Sequence, residues 1–280
     1  MRTKVKKKLK SIIGLILSYI FIKRRKELIK NGFSIPSFGY QLYPIIDRLI
    51  KDGIIYKYEK SDNIQALSKF HKNYWQGEKS KFFFTSYNSR FEDVFLKNYM
   101  PIIDWLECFI KKHEINNLIE IGTGNGKLVN YLSKRLTTIN SFIGIDLNEA
   151  QIDKNKENYT DENVKFYSCN AIDWLRLNGT KNTVLVTNSG VLEYFSSNEV
   201  EELIEFAKNE LSPIVFLIVE PLAIDFDLFS ETKSRTFGYE QSFSHNYPKL
   251  FQKHNYSLEF QMESNAENAR MLLLASVYGM

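Results

Sequence analysis

Residues 117–128 read NLIEIGTGNGKL, an apolar strand that ends in an acid and runs into three alternating glycines. Gly122, Gly124 and Gly126 allow the backbone to turn sharply after the strand and to approach a ligand without a Cβ atom in the way. The helix predicted over Lys127–Leu136 points its N-terminal amides at the same ligand. The stretch therefore predicts a strand, a turn and a helix that together hold a nucleotide-like molecule.

The spacing of these glycines distinguishes two kinds of ligand. A dinucleotide-binding turn needs G-x-G-x-x-G, and the third glycine of that pattern would fall on Lys127. The observed pattern, E-x-G-x-G-x-G from Glu120, resembles motif I of the class I S-adenosylmethionine-dependent methyltransferases. The resemblance implies S-adenosylmethionine as the cofactor, with Glu120 and the three glycines among its binding residues. The simpler alternative is an ordinary glycine-rich turn, because short glycine patterns recur by accident.

A second acid follows at the distance that a nucleotide-binding βαβ unit requires. The predicted strand Ser141–Asp146 ends roughly 20 residues beyond Gly122, where a carboxylate binds ribose hydroxyls. A carboxylate suits that task because it accepts two hydrogen bonds from a vicinal diol. The alternative is that Asp146 caps the helical stretch that starts at Asn148. The resemblance assigns Asp146 and its neighbour Leu147 to the cofactor site.

The ends of the third and fourth predicted strands complete the expected cofactor site. After the third strand the family usually carries an acid that accepts a hydrogen bond from the adenine amino group, whereas this chain has Asn170. The amide oxygen of Asn170 can accept the same bond without charge assistance, and Asp173 either shares the role or caps the next helix. The fourth strand, Thr183–Thr187, leads into the expected active-site edge. The predicted cofactor residues are Glu120, Gly122, Gly124, Gly126, Asp146, Leu147, Asn170, Ala171 and Asn188.

The order of the remaining segments extends the resemblance from Phe91 to the end of the sequence. A fifth apolar strand covers 214–219, and two adjacent strands without a full helix between them are predicted near 257–262 and 271–277. The resemblance implies an α/β fold: a seven-stranded, mostly parallel Rossmann-like sheet with an antiparallel terminal strand pair, plus a helical N-terminal cap. We expect three regions: a basic and apolar helix over 1–30, an aromatic-rich helical cap over 31–90, and the methyltransferase domain over 91–280.

The first thirty residues carry the excess of basic over acidic charge. They hold eleven Lys or Arg and one acid, a balance of +10, whereas the remainder of the chain carries −6. The apolar run Ser11–Ile22 spans under about 20 Å as a helix, too short for roughly 30 Å of hydrocarbon. We expect residues 1–30 either to anchor the protein on an anionic inner membrane surface or to pack on the protein as an ordinary apolar helix. The expected location is the cytoplasm, with contact at the inner membrane face in the first case.

Residues 31–90 are rich in aromatic side chains, which have two interpretations. In class I enzymes the residues ahead of the first strand often form a cap over the substrate, and aromatic faces suit stacking on a sugar or another ring. Alternatively, these side chains form the core of a small helical subdomain. The basic N-terminus followed by Phe38-Gly39-Tyr40 loosely resembles methyltransferases of bacterial surface-polysaccharide biosynthesis. That resemblance implies a sugar hydroxyl as the acceptor.

Methyl transfer to oxygen needs a base, because a neutral hydroxyl is a poor nucleophile. His245 follows the fifth strand on the expected cofactor side and is the first candidate, with Tyr247 and Glu193 as alternatives. His245 otherwise caps the helix that follows it. Cys108 and Cys169 are too few and too far apart for a disulfide framework or a cysteine zinc site, and no cluster has metal-ligand spacing.

The sequence therefore predicts a methyltransferase that uses S-adenosylmethionine to O-methylate a sugar, a glycan or another small molecule. The mildly acidic body argues against a broad nucleic-acid surface, and the oligomeric state is left open. One alternative keeps the fold and cofactor without catalysis, as a scaffold or sensor. Another, a nicotinamide-dependent oxidoreductase, is disfavoured by Lys127.

Overall fold

The structure, a computed structural model, describes residues 2–33, 43–61, 63–86, 89–238, 240–265 and 270–280. The chain divides into two units. The first contains residues 1–83 together with 237–242, and the second contains 84–236 together with 243–280. The regions 1–30 and 31–83 thus belong to one unit, and the three-region division expected from the sequence stays a prediction.

The first unit is helical. It contains α1 (Arg2–Ile20), α2 (Ile22–Asn31), α3 (Ile45–Lys60), α4 (Ile64–Gln76), a 3-10 turn over Glu78–Ser80 and the beginning of α5 (Lys81–Ser86). Phe33 and Tyr74 are buried in this unit, so the helical-core interpretation is confirmed at these two positions. Phe38, Tyr40 and Tyr87 lie outside the described residues.

Two glycines bring α1 and α3 into backbone contact. A Cβ atom on Gly14 would lie 1.8 Å from the carbonyl oxygen of Leu49, and one on Gly53 would lie 2.2 Å from the carbonyl carbon of Gly14. Larger residues at either position would force the helices apart. An ion pair between Arg24 and Asp47 joins α2 to α3. Residues 8–20 therefore pack on α3 through one face, which contains Gly14. No helix within the described ranges is long and apolar enough to cross a membrane.

The second unit is built on a seven-stranded sheet in the order β3-β2-β1-β4-β5-β9-β8, and the chain also contains a separate β6-β7 pair. Strands β1 to β5 run parallel, and β9 pairs antiparallel with both β5 and β8, which confirms the predicted fold. The strands are β1 (Asn117–Ile121), β2 (Ser141–Asp146), β3 (Val164–Ser168), β4 (Thr183–Asn188), β5 (Ile214–Leu222), β6 (Arg235–Phe237), β7 (Ser242–Ser244), β8 (Ser257–Asn265) and β9 (Arg270–Tyr278).

Helices cover the sheet and connect its parallel strands. They are α6 (Leu96–Asn98), α7 (Met100–Ile110), α8 (Lys127–Arg135), α9 (Glu149–Asn158), α10 (Ala171–Asn178), α11 (Ser197–Glu210) and α12 (Tyr247–Lys253), with a π-helical turn over Phe91–Phe95 and a 3-10 turn over Leu192–Tyr194. Strand β5 is buried along its whole length, in keeping with the continuous apolar run over residues 214–219. The parallel register brings the carboxyl ends of β1, β2, β3 and β4 to a common edge, where an open α/β sheet binds its ligand.

Candidate active site

The glycine turn after β1 adopts the conformation that its sequence predicts. Gly122, Gly124 and Gly126 have φ angles of +69°, +52° and +73°, a conformation that residues with a Cβ atom rarely adopt. The amides of Gly122 and Thr123 both donate to the carbonyl oxygen of Ile145, at 2.8 and 3.0 Å. These bonds fix the turn against the end of β2, and α8 begins directly after Gly126.

Glu120 supports this turn from the interior. The side chain is buried, and its Oε2 atom accepts hydrogen bonds from Thr123 Oγ1 at 2.7 Å and from the Val129 amide at 3.1 Å. Burial raises the pKa of Glu120 to about 8. The carboxyl group therefore ties the turn to the first part of α8, while its contact with the cofactor stays a prediction.

Asp146, the last residue of β2, is partly buried and forms a hydrogen bond with the same turn. Its Oδ2 atom accepts a hydrogen bond from the Gly124 amide and its Oδ1 atom one from the Asn148 amide, both at 2.9 Å. Burial raises the pKa of this carboxyl group, an effect that the amide donors oppose. The helix-cap alternative is wrong, because Asn148 caps α9 by accepting a hydrogen bond from the Gln151 amide. Each carboxylate oxygen retains acceptor capacity for a diol.

Asn170 serves as the cap of α10. Its Oδ1 atom accepts hydrogen bonds from the amides of Ile172 at 2.9 Å and Asp173 at 3.3 Å. The alternative in which Asp173 caps this helix is therefore wrong. A bond from an adenine amino group would be the third on the same oxygen of Asn170, so this predicted contact is crowded by the cap.

Six of the nine predicted cofactor residues share one partly exposed edge. Backbone bonds join the strand ends there: the Cys169 amide donates to the carbonyl oxygen of Asp146 at 3.0 Å, and the Ser189 amide donates to that of Val219 at 2.8 Å. Glu120, Gly126 and Ala171 are buried behind the edge. The partly exposed residues are Gly122, Gly124, Asp146, Leu147, Asn170 and Asn188.

Glu220, at the end of β5, organises the loop after β4 and was not predicted as a site residue. Its fully buried carboxylate accepts hydrogen bonds from Thr187 Oγ1 at 2.6 Å, from the Val191 amide at 3.0 Å and from the Glu193 amide at 3.3 Å. Burial raises its pKa to about 7. A Cβ atom on Gly122 would lie 2.6 Å from a methyl carbon of Val191, so this loop packs on the glycine turn. The sequence signal that could have identified Glu220 is its position as an acid directly after the apolar run 214–219.

His245 is enclosed, with both ring nitrogens engaged. Nε2 lies 3.1 Å from the carbonyl oxygen of Phe195 and must donate to it, so Nδ1 accepts from Ser234 Oγ at 2.6 Å. Burial lowers the pKa of His245 to about 4. The helix-cap alternative is wrong, because Asn246 caps α12. These two contacts tie the segment before α12 to the loops that contain Ser234 and Phe195, and they leave no free lone pair on the His245 ring. The general-base role of His245 therefore stays a prediction, and this geometry does not support it.

The other two catalytic candidates are also buried. Tyr247 is fully enclosed, and among the described residues its hydroxyl has no hydrogen-bond partner. Burial raises the pKa of Tyr247 well above its ordinary value, and the nearby carboxyl groups of Glu220 and Glu193 raise it further. The phenol therefore stays protonated at neutral pH. Glu193 is 8% exposed. Within the described part of the chain, no three His, Cys, Asp or Glu side chains are grouped to hold a metal ion.

Comparison with known proteins identifies the central part of the second unit. Residues 118–213, which contain the glycine turn, Asp146 and Asn170, match the family described as "Methyltransferase domain". The chain carries a methyltransferase domain. This match confirms the prediction of a class I domain, the kind whose cofactor is S-adenosylmethionine. No curated protein matches the sequence significantly.

Three solved structures are similar to this chain at low sequence identity. An S-adenosylmethionine-dependent methyltransferase from Clostridium acetobutylicum has 12% identity and a TM-score of 0.51, over 72% of this chain and 100% of that one. Magnesium protoporphyrin IX methyltransferase from Synechocystis, solved with bound SAM, has 12% identity and a TM-score of 0.46, over 67% and 83%. TrmK of M. capricolum, solved with S-adenosyl-homocysteine, has 14% identity and a TM-score of 0.42, and the match covers 62% of this chain and 66% of that protein.

These comparisons leave the acceptor undefined. The predicted likeness to polysaccharide methyltransferases has no counterpart among them, and residues 38–40, which formed part of its basis together with the basic N-terminus, lie outside the described part of the chain. The methyltransferase domain does fit an adenosyl cofactor. Gly124 in its turn is partly exposed, and a Cβ atom added there would come no closer than 3.5 Å to a side chain, that of Phe84. An acid suited to the ribose lies beside it at Asp146.

Proposed function

We propose that this protein binds S-adenosylmethionine at the edge formed by the glycine turn and Asp146, and transfers its methyl group to a small-molecule acceptor. The observation that carries this proposal is the hydrogen bond from the Gly124 amide to the Asp146 carboxylate. It holds an acceptor for a ribose diol beside a glycine turn whose backbone is partly exposed at Gly122 and Gly124.

The bound cofactor supplies an electrophilic methyl group, and displacement at that carbon depends mainly on position. In the proposed site, Asp146 orients the ribose, and the first amides of α8 face the same turn. Glu220 holds the loop at Val191 against Gly122, so that this loop is fixed relative to the cofactor turn. The protein's contribution in this proposal is therefore preorganisation of the cofactor and of the loop beside it.

We propose a hydroxyl group of a sugar, glycan or other small molecule as the acceptor. The support comes from the sequence: residues 31–280 carry a net charge of −6, which does not suit a polyanionic nucleic acid. The aromatic residues ahead of β1 suit a ring-bearing substrate. The base remains unassigned, because His245, Tyr247 and Glu193 are all buried.

That burial favours a second candidate function, in which the domain binds S-adenosylmethionine as a sensor or scaffold and transfers nothing. Calorimetric titration with S-adenosylhomocysteine, with NAD as the control ligand, tests the shared binding step. Incubation with isotope-labelled S-adenosylmethionine and a panel of glycans and small hydroxyl compounds, followed by mass spectrometry, separates the two functions. Labelled product supports the enzyme, whereas S-adenosylhomocysteine binding without any labelled product supports the sensor. Binding of NAD in place of S-adenosylhomocysteine would overturn both.

A further inference from the structure

Helix α1 carries five large aliphatic side chains on the face that does not pack on the protein, while Leu15 and Leu17 are partly buried. The residues buried against the neighbouring helix are small: Ser11, Gly14 and Ser18. The opposite side bears what we call the outer face of α1, formed by the exposed residues Leu9, Ile12, Ile13, Ile16 and Ile20. With about 100° of rotation per residue, these five side chains lie within about 100° of one another.

This arrangement reverses the usual order of a helix packed on a water-soluble domain. Such a helix turns its large apolar residues inward and its small or polar residues outward. In α1, Ile16 is 55% exposed and Ile20 is 65% exposed, while Gly14 makes the interior contact. The apolar surface continues beyond the helix through Phe21 and Ile22, which are 40% and 49% exposed. A contiguous apolar surface of this kind marks an interaction site.

Basic side chains border the outer face on both flanks and at its end. Lys8 and Lys10 are exposed and lie on either side of the apolar stripe, and Lys23 and Lys26 are exposed just beyond it. The chain has no acidic residue before Glu27. Lysine stems can lie along an apolar surface while their ammonium groups reach outward. The outer face is therefore an apolar strip inside a positively charged frame.

We infer that the outer face of α1 binds the surface of an anionic lipid bilayer, with the helix lying in the plane of the headgroups. The isoleucines would enter the acyl boundary and the lysines would contact lipid phosphates. A second copy of the chain is the less suitable occupant, because it would bring two strongly positive segments together. An anionic membrane supplies both an apolar layer and the opposite charge. The contact of Gly14 with α3 leaves the opposite side of α1, the outer face, exposed to bind it.

Vesicle flotation of the full chain tests this inference. We expect binding to phosphatidylcholine vesicles containing about one third phosphatidylglycerol to exceed binding to phosphatidylcholine alone by tenfold or more. Ile16→Glu with Ile20→Glu should reduce that binding at least about tenfold. The matched control, Leu177→Glu with Phe229→Glu, adds the same charge outside α1. It replaces two apolar side chains that are 85% and 91% exposed. This control should bind like the wild type.

A second variant tests the charged frame. Lys23→Gln with Lys26→Gln should weaken binding about fivefold for each charge removed and should reduce its dependence on salt. Equal binding to both kinds of vesicle would overturn the inference, as would wild-type binding by the Ile16→Glu, Ile20→Glu protein. Light scattering measures the oligomeric state. If the wild type is a dimer and the Ile16→Glu, Ile20→Glu protein is a monomer, the outer face binds a second copy of the chain and the inference is overturned. Circular dichroism of each variant establishes that α1 has remained folded.

Discussion

Asp146 is held by backbone amides on both oxygens, so its carboxylate has a fixed direction before any ligand arrives. We expect Asp146→Ala to raise the dissociation constant of S-adenosylhomocysteine on the order of 10- to 100-fold, because a charged acceptor of two hydrogen bonds is lost. Calorimetric titration measures the change. Asp153→Ala removes an exposed acid from α9 and serves as the control. Unchanged affinity in the Asp146 variant would show that the ribose assignment is wrong.

Glu120 makes the stability of the protein depend on pH. In the folded protein the pKa of Glu120 is about 8, against an ordinary value of 4.5. Between these values the folded state holds a proton that the unfolded chain releases, so the stabilisation is complete below pH 4.5 and is lost as pH rises toward 8. We expect the free energy of unfolding of the wild type, relative to Glu120→Gln, to fall by roughly 1 kcal/mol for each pH unit in this window.

Denaturant unfolding of both proteins at a series of pH values measures this difference. Glutamine resembles the protonated acid in shape and does not titrate, so the variant removes the proton linkage while it keeps an oxygen for Thr123 and Val129. Glu114→Gln, at an exposed acid, supplies the matched control. A difference between wild type and Glu120→Gln that stays constant with pH would contradict the predicted linkage.

At the scale of the elements, α10 depends on Asn170 for its first turn. Asn170→Ala should lower the free energy of unfolding by about 1 kcal/mol because two amides lose their acceptor. Asn170→Asp should keep that stability, since aspartate caps as well as asparagine. Thermal unfolding measures both. If Asn170→Ala instead keeps wild-type stability and weakens only S-adenosylhomocysteine binding, the residue contacts adenine and the cap is dispensable.

The elements also show what could be predicted from the sequence. The order of apolar strands and the glycine spacing were sufficient for the sheet, its antiparallel end and the position of Asp146, because each depends on local periodicity and backbone freedom. The role of Asn170 was harder to predict, since the same amide oxygen suits a cap and an adenine. The roles of His245 and Glu220 could not be predicted from the sequence. Their hydrogen-bond partners, Phe195 and Val191, are distant in sequence and become neighbours only through packing.

For the whole molecule, the burial of each strand predicts which parts of the second unit are protected from local unfolding. Strands β5 and β9 are buried almost throughout, whereas β8 alternates between exposed and partly buried positions. We expect amides in β5 and β9 to exchange with solvent only through global unfolding and those in β8 to exchange faster. Saturation with S-adenosylhomocysteine at about 100 times its dissociation constant should slow the β5 and β9 amides about 100-fold. Hydrogen-exchange mass spectrometry measures both effects. Faster exchange in β9 than in β8 would contradict the first.

The position of β9 has a consequence for how the chain folds as it leaves the ribosome. Strand β8 is synthesised before β9, yet β9 lies between β8 and β5 and pairs with all nine residues of β5. During translation, β5 therefore presents an open apolar edge that only residues 270–278 can close, and β8 is the first strand available to occupy it wrongly. The alternating burial of β8 suits a sheet margin, whereas the apolar run of β9 suits its interior. A nascent chain arrested before residue 270 should accordingly be prone to aggregation and dependent on chaperones.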